Sequence, residues 1–421
     1  SLMSTPDQKT LKKYADLSVK VGLNLQPGQR LVIHALRHGG VPIHNAPLLR
    51  AITESAYENG ARFVDVMWRD DQLIHTRFDL APRDSFDQFP AWQAKNILEF
   101  IENDDAVLSI KSVNPDLLTG KDSKLINDYQ KAFLKHWKPI SEHVRRNKTN
   151  WSLLAAPVPG WSEKVFPDET PEEAEDALWK ALFEICRIDR TDPVAAWEEH
   201  IQNLAQRCDH LNQKAYAGLH FRGPGTDLQL GLPEGHRWRS AGFEAQNGIP
   251  FTANIPTEEV FTLPDRGRTE GRVRASLPLN YGGSLIEGFS LEFKEGKVVD
   301  YTAEKGEKVL RDMLQIDPGA SRLGEVALVP NSSPISQSGL LFYNTLLDEN
   351  ASSHIALGSA YRFSLQDGEV MSDEEFADRG GNASQIHVDF MIGSGEMDVD
   401  GVLEDGSTEP VMRQGEWSFQ V

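Results

Sequence analysis

Cysteine is almost absent: the 421 residues include only Cys186 and Cys208. Neither sits in a CxxC pair or a dense framework, so a disulfide scaffold is excluded and both read as buried free thiols of a reducing compartment. Apolar runs are short, and none approaches the length needed to span a bilayer, so a soluble protein is expected. Positive charge is scarce as well. Against 63 Asp and Glu there are 43 Lys and Arg, a formal net charge of -20 that opposes association with nucleic-acid phosphates or anionic lipid. No nucleic acid and no membrane is expected as a partner. The first residues, Ser1-Leu2-Met3-Ser4-Thr5-Pro6, lack both the basic and the apolar segment of an export signal, so the expected location is cytoplasmic. No internal repeat, low-complexity tract or heptad array occurs.

What is present is a globular composition, 39% hydrophobic and 25% charged, in a chain too long for one ordinary core. Two domains are expected, 1-190 and 191-421. In the first, helical and strand patterns alternate. Arg30–Leu36, Arg62–Trp68, Ala106–Ile110 and Trp151–Ala156 read as strands, separated by helical stretches over Ala46 to Asn59, Ala91 to Asn103 and Ser123 to Asn147. Such alternation predicts an α/β domain with a mostly parallel sheet covered by helices. Thr170-Pro171-Glu172-Glu173 has the chemistry of a helix start, with a capping threonine and proline in the first turn. The boundary falls at Asp189 to Pro193. Beyond it Val194, Trp197, Ile201, Leu204, Cys208 and Leu211 form an apolar seam along one helix, which is packing.

From Tyr216 the texture changes to short alternating runs and tight-turn pairs: Glu234-Gly235, Gly282-Gly283, Glu295-Gly296, Asp367-Gly368 and Asp405-Gly406. This predicts an α+β domain rich in antiparallel hairpins, with a helix over Glu304 to Gln315.

Candidate chemistry lies in this second half. In Gln385-Ile-His-Val-Asp-Phe-Met-Ile392 the two-residue period puts His387 and Asp389 on one strand face and Ile386, Val388 and Phe390 on the other. A histidine and a carboxylate so placed can grip metal, although an exposed polar face gives the same pattern. Glu325 is the one charge in Leu323-Gly-Glu-Val-Ala-Leu-Val329, and a buried carboxylate must pair with a basic group, bind metal or hold a proton. Glu259, in Thr257-Glu-Glu-Val-Phe-Thr262, offers a similar reading, with at least one of Glu258 and Glu259 expected to face solvent. His354 lies in the apolar stretch Asn350–Gly358, where a satisfied core histidine is the plainer alternative. Together the five make chemical sense: three carboxylates and two neutral imidazoles are brought to neutrality by two divalent cations and one bridging hydroxide. Carboxylates with imidazoles suit Zn²⁺, Co²⁺ or Mn²⁺, and two ions about 3.5–4 Å apart can clamp an attacking water and a polarised carbonyl.

Other features carry less. Arg222-Gly-Pro-Gly-Thr-Asp227 lacks the glycine spacing and lysine of a phosphate loop and reads as a turn between strands. His34, His38 and His44 cluster at the end of the first strand without carboxylates at ligand spacing. The arginine-rich run Arg266 to Arg274 reads as a solvated or interface loop.

The chain resembles the M29 metallo-aminopeptidases, the group of aminopeptidase T, AmpS and PepS. The resemblance is carried by Asn254-Ile-Pro-Thr-Glu-Glu-Val-Phe-Thr262, Arg322-Leu-Gly-Glu-Val326, His354 with Gly358-Ser-Ala-Tyr361, and Ile386-His-Val-Asp389. It implies that Glu259, Glu325, His354, His387 and Asp389 bind two divalent metal ions (Zn, Co, Mn or Mg), with Tyr361 at the catalytic centre; the mechanism expected from this makes Glu325 catalytic too, positioning the attacking water as ligand or adjacent base. It further implies peptide substrates and a homodimer. Two rivals stand beside this aminopeptidase reading: another dinuclear metallohydrolase acting on amides or phosphoesters, and a non-enzymatic, metal-stabilised dimeric scaffold.

Overall fold

The computed structural model describes residues 6–35, 37–281 and 284–421, so the N-terminal residues 1–5, Leu36 and the Gly282-Gly283 turn lie outside the described residues. The chain divides into two compact units. One holds the residues up to His200 together with Gly242–Pro256. The other holds Ile201–Ala241 and Thr257–Val421.

In the first unit the β-branched and aliphatic runs become strands that are buried on both faces, as Ala106–Lys111 shows with five consecutive buried residues. Arg30–His34 pairs in parallel with Phe63–Val66 on one side and with Ala106–Lys111 on the other. Trp151–Ala155 and the short Asn254–Ile255 extend the sheet to five strands, all parallel. The helices start where their caps demand. Asp122 accepts from the backbone of Lys124 and Leu125 to open Ser123–Arg145. Thr170 and Glu173 complete a reciprocal capping box ahead of Pro171–Ile185. Of the three histidines noted above, His34 ends the strand Arg30–His34 and is buried, His38 Nδ1 lies 2.7 Å from the Tyr129 hydroxyl, and His44 Nε2 lies 2.7 Å from Glu175.

The second unit is antiparallel throughout. Eight strands form one sheet, with the hairpin Gly218–Gly223 and Thr226–Gly231 near its middle. The turn of that hairpin is the Pro224-Gly225 segment, so the Arg222–Asp227 motif is a strand connection. Four strands form a second sheet in the order Val260–Thr262, Leu323–Leu328, His354–Gly358, His387–Met391. Val326, Leu328, Ile355, Leu357 and Phe390 of these strands share one apolar cluster with Leu204, Cys208 and Leu211 of the helix Pro193–Lys214. Neither cysteine is in a disulfide, and both are buried. No helix among the described residues is long and apolar enough to cross a membrane.

Two expectations change in detail. The Arg266–Arg274 run is largely a strand, Thr269–Arg274, because Thr269 and Val273 point inward while Arg272 and Arg274 alternate outward. Glu295-Gly296 and Asp405-Gly406 join paired strands, whereas Glu234-Gly235 and Asp367-Gly368 are turns between segments that do not pair as hairpins. The His354 segment is the strand His354–Gly358, which its β-branched and small residues permit.

Gly358 ends that strand at a point where only glycine fits. Its φ is 110°, and a Cβ there would meet the carbonyl oxygen of Ile386 at 2.0 Å. Gly358→Ala is therefore expected to destabilise the protein by about 2 kcal/mol or more. Urea denaturation measures it, and an unchanged midpoint would mean that the strand end relaxes without cost.

Candidate metal centre

Three strands and one irregular segment supply the five candidate ligands. Glu325 comes from Leu323–Leu328, His354 from His354–Gly358, and His387 and Asp389 from His387–Met391. The register sets Glu325 and Asp389 against the same residue, Ala356, from opposite sides, so both carboxylates flank one position of the middle strand. A register shift between Leu323 and Glu325 accompanies Gly324, whose added Cβ would meet the Gly358 carbonyl at 2.3 Å. The close approach of those two backbones thus needs a bare glycine.

Glu259 precedes Val260–Thr262 in non-repetitive backbone. Here the expectation that Glu258 or Glu259 faces solvent fails: both are buried. The segment is tied inward because the Glu258 backbone N–H donates to the Asn350 side chain, itself buried and donating to the Leu346 carbonyl. Asn350 is a positioning residue that no pattern in the sequence singled out.

The five side chains converge. His354 Nε2 lies 3.0 Å from a Glu259 oxygen, 3.5 Å from Glu325 and 3.9 Å from Asp389. His387 Nε2 lies 3.5 Å from Asp389 and 4.0 Å from Glu325. Two ligand groups result, Glu259/Glu325/His354 and Glu325/His387/Asp389, with the donor atoms in each within 4.8 Å of one another. Glu325 belongs to both.

Two observations show that this donor set fits divalent cations. Each imidazole sets its Nδ1 against a backbone carbonyl, His354 to Ser352 at 3.1 Å and His387 to Ser359 at 2.7 Å. With Nδ1–H donating there, each Nε2 lone pair faces carboxylate lone pairs, an arrangement that needs a cation or a proton between them. Secondly, Glu259 Oε2 and Asp389 Oδ1 are buried without a hydrogen-bond partner. Orphaned buried carboxylate oxygens are costly unless something positive meets them.

Protonation follows the same logic. Burial and the neighbouring Asp389 charge push the Glu325 carboxyl up to about 8. His387 is raised to about 10: burial acts to lower it, and the Asp389 charge overrides that. His354 is likewise raised well above the ordinary imidazole value, its burial outweighed by Glu259 and Glu325. Asp389, held by both imidazoles against its burial, is lowered and stays ionised. Protons thus occupy the places that cations would take.

Tyr361 begins the turn Arg362–Ser364, with its ring 5.1 Å from that of His387. It is 39% exposed. Its phenol is raised well above its usual value by desolvation and by the charges of Glu325 and Asp389. Tyr361 also stacks on Phe363 and meets the edge of Phe261, a grouping that sequence spacing did not reveal.

The comparisons with known proteins agree in kind. A family profile described as thermophilic metalloprotease (M29) matches residues 7–417. Aminopeptidase AmpS of Bacillus subtilis (strain 168) is 46% identical over 409 residues, 97% of this chain and 98% of that protein. Aminopeptidase T of Thermus thermophilus is 44% identical over 410 residues, again 97% and 98%. Aminopeptidase PepS of Streptococcus thermophilus is 42% identical over 411 residues with the same coverage. Among solved structures, wild-type AmpT from Thermus thermophilus superposes with a TM-score of 0.90 at 43% identity, covering 98% of this chain and 100% of that one.

The titrations make a prediction for the metal-free protein. His387 binds its proton more firmly folded than unfolded, so its contribution is complete below pH 6.5 and lost as pH rises toward about 10. Glu325 acts in the same sense between pH 4.5 and about 8. The Tm of chelated protein is expected to fall as pH rises from 6.5 to 8, and divalent ions should remove that fall by replacing the protons. Scanning fluorimetry with and without chelator measures it, and a chelated protein that gains stability over this window contradicts the assignment.

Proposed function

The chain belongs to the M29 family of metalloproteases, and on that premise we propose that it is an aminopeptidase that removes N-terminal residues from peptides at a dinuclear metal centre. The observation that carries the reading is the membership of Glu325 in both ligand groups. Glu259, Glu325 and His354 would hold one ion, and Glu325, His387 and Asp389 the second. Two divalent cations held there would supply Lewis acidity, lowering the pKa of a bound water and polarising the scissile carbonyl.

The remaining steps belong to the protein. Glu325, as a shared ligand or as an adjacent base, would position the attacking water and take up its proton for delivery to the leaving amine. Tyr361 keeps its proton at neutral pH, because the surrounding charge and desolvation oppose ionisation, so its hydroxyl can donate to the developing tetrahedral oxyanion. The Ser352 and Ser359 carbonyls hold the two imidazoles in the tautomer that turns Nε2 toward the carboxylates. A homodimer, a cytoplasmic location and a division of the chain into 1-190 and 191-421 are proposed with this function, on the grounds given from the sequence.

The test begins with chelated protein, to which Co²⁺, Zn²⁺, Mn²⁺ or Mg²⁺ is restored in turn, assayed on dipeptides and on amide and phosphoester substrates. Peptide cleavage with two bound ions per chain supports the proposal. One ion at full activity would refute the dinuclear centre, and phosphoester turnover without peptide cleavage would refute the aminopeptidase. Glu325→Gln is expected to lower kcat by roughly 10²–10⁴-fold with the fold retained. Tyr361→Phe should lower kcat by about 10²-fold, with KM and metal content nearly unchanged. Loss of metal from the tyrosine variant would make Tyr361 a ligand or a structural group instead.

A further inference from the structure

Beside the candidate ligands lies a group of rings of which the proposed chemistry uses only the Tyr361 hydroxyl. Tyr361 and Phe363 stack at 5.1 Å with an interplanar angle of 15°. Phe261 presents its edge to both, at 6.3 Å from Tyr361 and 6.1 Å from Phe363. The group starts at His387, whose ring centroid is 5.1 Å from that of Tyr361.

Arg239 holds the rings in place. Its backbone exchanges both hydrogen bonds with Phe261, at 2.8 and 2.9 Å. Its guanidinium donates twice to the Phe363 carbonyl and lies 5.8 Å from the Phe363 ring centroid. One side chain thus fixes the two phenylalanines that support the tyrosine. Phe261 is buried, whereas Phe363 is half-buried and Tyr361 is exposed, so the platform keeps an open apolar surface next to a cluster of charged ligands. Packing of the Arg362–Ser364 turn alone would favour hiding these rings. A rigid apolar face next to convergent polar groups is the usual build of a specificity pocket.

We infer that the Phe261/Tyr361/Phe363 platform receives the side chain of the substrate's N-terminal residue and selects apolar, above all aromatic, ones. The inference rests on the aminopeptidase reading, in which the attacked carbonyl belongs to that first residue. Its side chain branches from the carbon next to this carbonyl, so it lies within one ring's reach of His387. Stacked and edge-on rings accept a further aromatic ring in the offset or T-shaped contacts that such rings favour. The Arg239 guanidinium behind Phe363 opposes a lysine or arginine side chain in the same place.

Phe363 is the position to change, since its ring supports Tyr361 without being one of the candidate ligands. The measurement is kcat/KM for dipeptides with Phe, Leu, Lys or Ala first and a constant second residue. Wild type is expected to prefer Phe and Leu. Phe363→Ala should lower kcat/KM for the Phe-first peptide by about tenfold more than for the Ala-first peptide, whose own loss reports any disturbance of Tyr361. Phe363→Leu, which keeps bulk, should retain Leu-first and lose Phe-first cleavage, and it serves if the alanine variant fails to fold.

Titration of phenylalaninol against alaninol, followed by calorimetry, gives a readout without turnover. The preference for phenylalaninol should disappear in both variants. Equal losses for Phe-first and Ala-first peptides, or a selectivity that follows the second residue, would overturn the inference while leaving the aminopeptidase standing. No peptide cleavage by wild type would instead remove the activity on which it rests.

Discussion

An excess of negative charge buried in an antiparallel sheet is the constraint around which the second unit is organised. Glu259, Glu325 and Asp389 meet around two imidazoles, and two of their oxygens have no hydrogen-bond partner. The penalty for stripping water from a carboxylate is several kcal/mol, and hydrophobic packing cannot supply the compensation because it carries no charge. Positive charge must come from outside as cations or as protons. The raised proton affinity of Glu325 and His387 and the retained phenol proton of Tyr361 follow from this one imbalance.

The sheet makes the imbalance tolerable by making it rigid. Three strands carry four of the five side chains, and their other faces are anchored in the apolar cluster that includes Val326, Ile355 and Phe390. A ligand on a strand with a buried opposite face cannot swing away without exposing that core. The two glycines serve the same end, Gly324 by letting the strands approach and Gly358 by turning the chain at positive φ toward Tyr361. Asn350 completes the arrangement by holding the irregular Glu258–Glu259 segment, which has no strand register of its own.

Membership in the metalloprotease family supplies the chemical class, and the geometry supplies its local terms. Fixed imidazole tautomers, a shared carboxylate and a tyrosine beside one imidazole form a set in which each group restricts the freedom of the next. The aromatic platform extends from this set at its one open side chain, Tyr361, and is held from beneath by Arg239.

The local patterns in the sequence were strong wherever a short period or a cap settles the outcome. The alternation of strands and helices specified a parallel sheet in the first unit, and Thr170 with Glu173 specified a helix start. The two-residue period placed His387 and Asp389 on one face, and the lone charge in an apolar strand made Glu325 conspicuous. Glu259 and His354 stood out only by resemblance, since an acid in a loop and a histidine in an apolar run look the same whether they are ligands or not. The burial of Glu258 along with Glu259, the return of Gly242–Pro256 to the first unit, and the meeting of Phe261 with Phe363 were decided by tertiary structure. These depend on contacts between residues far apart in the chain, and a period of two or 3.6 residues reports only which way a side chain points, never what it will meet.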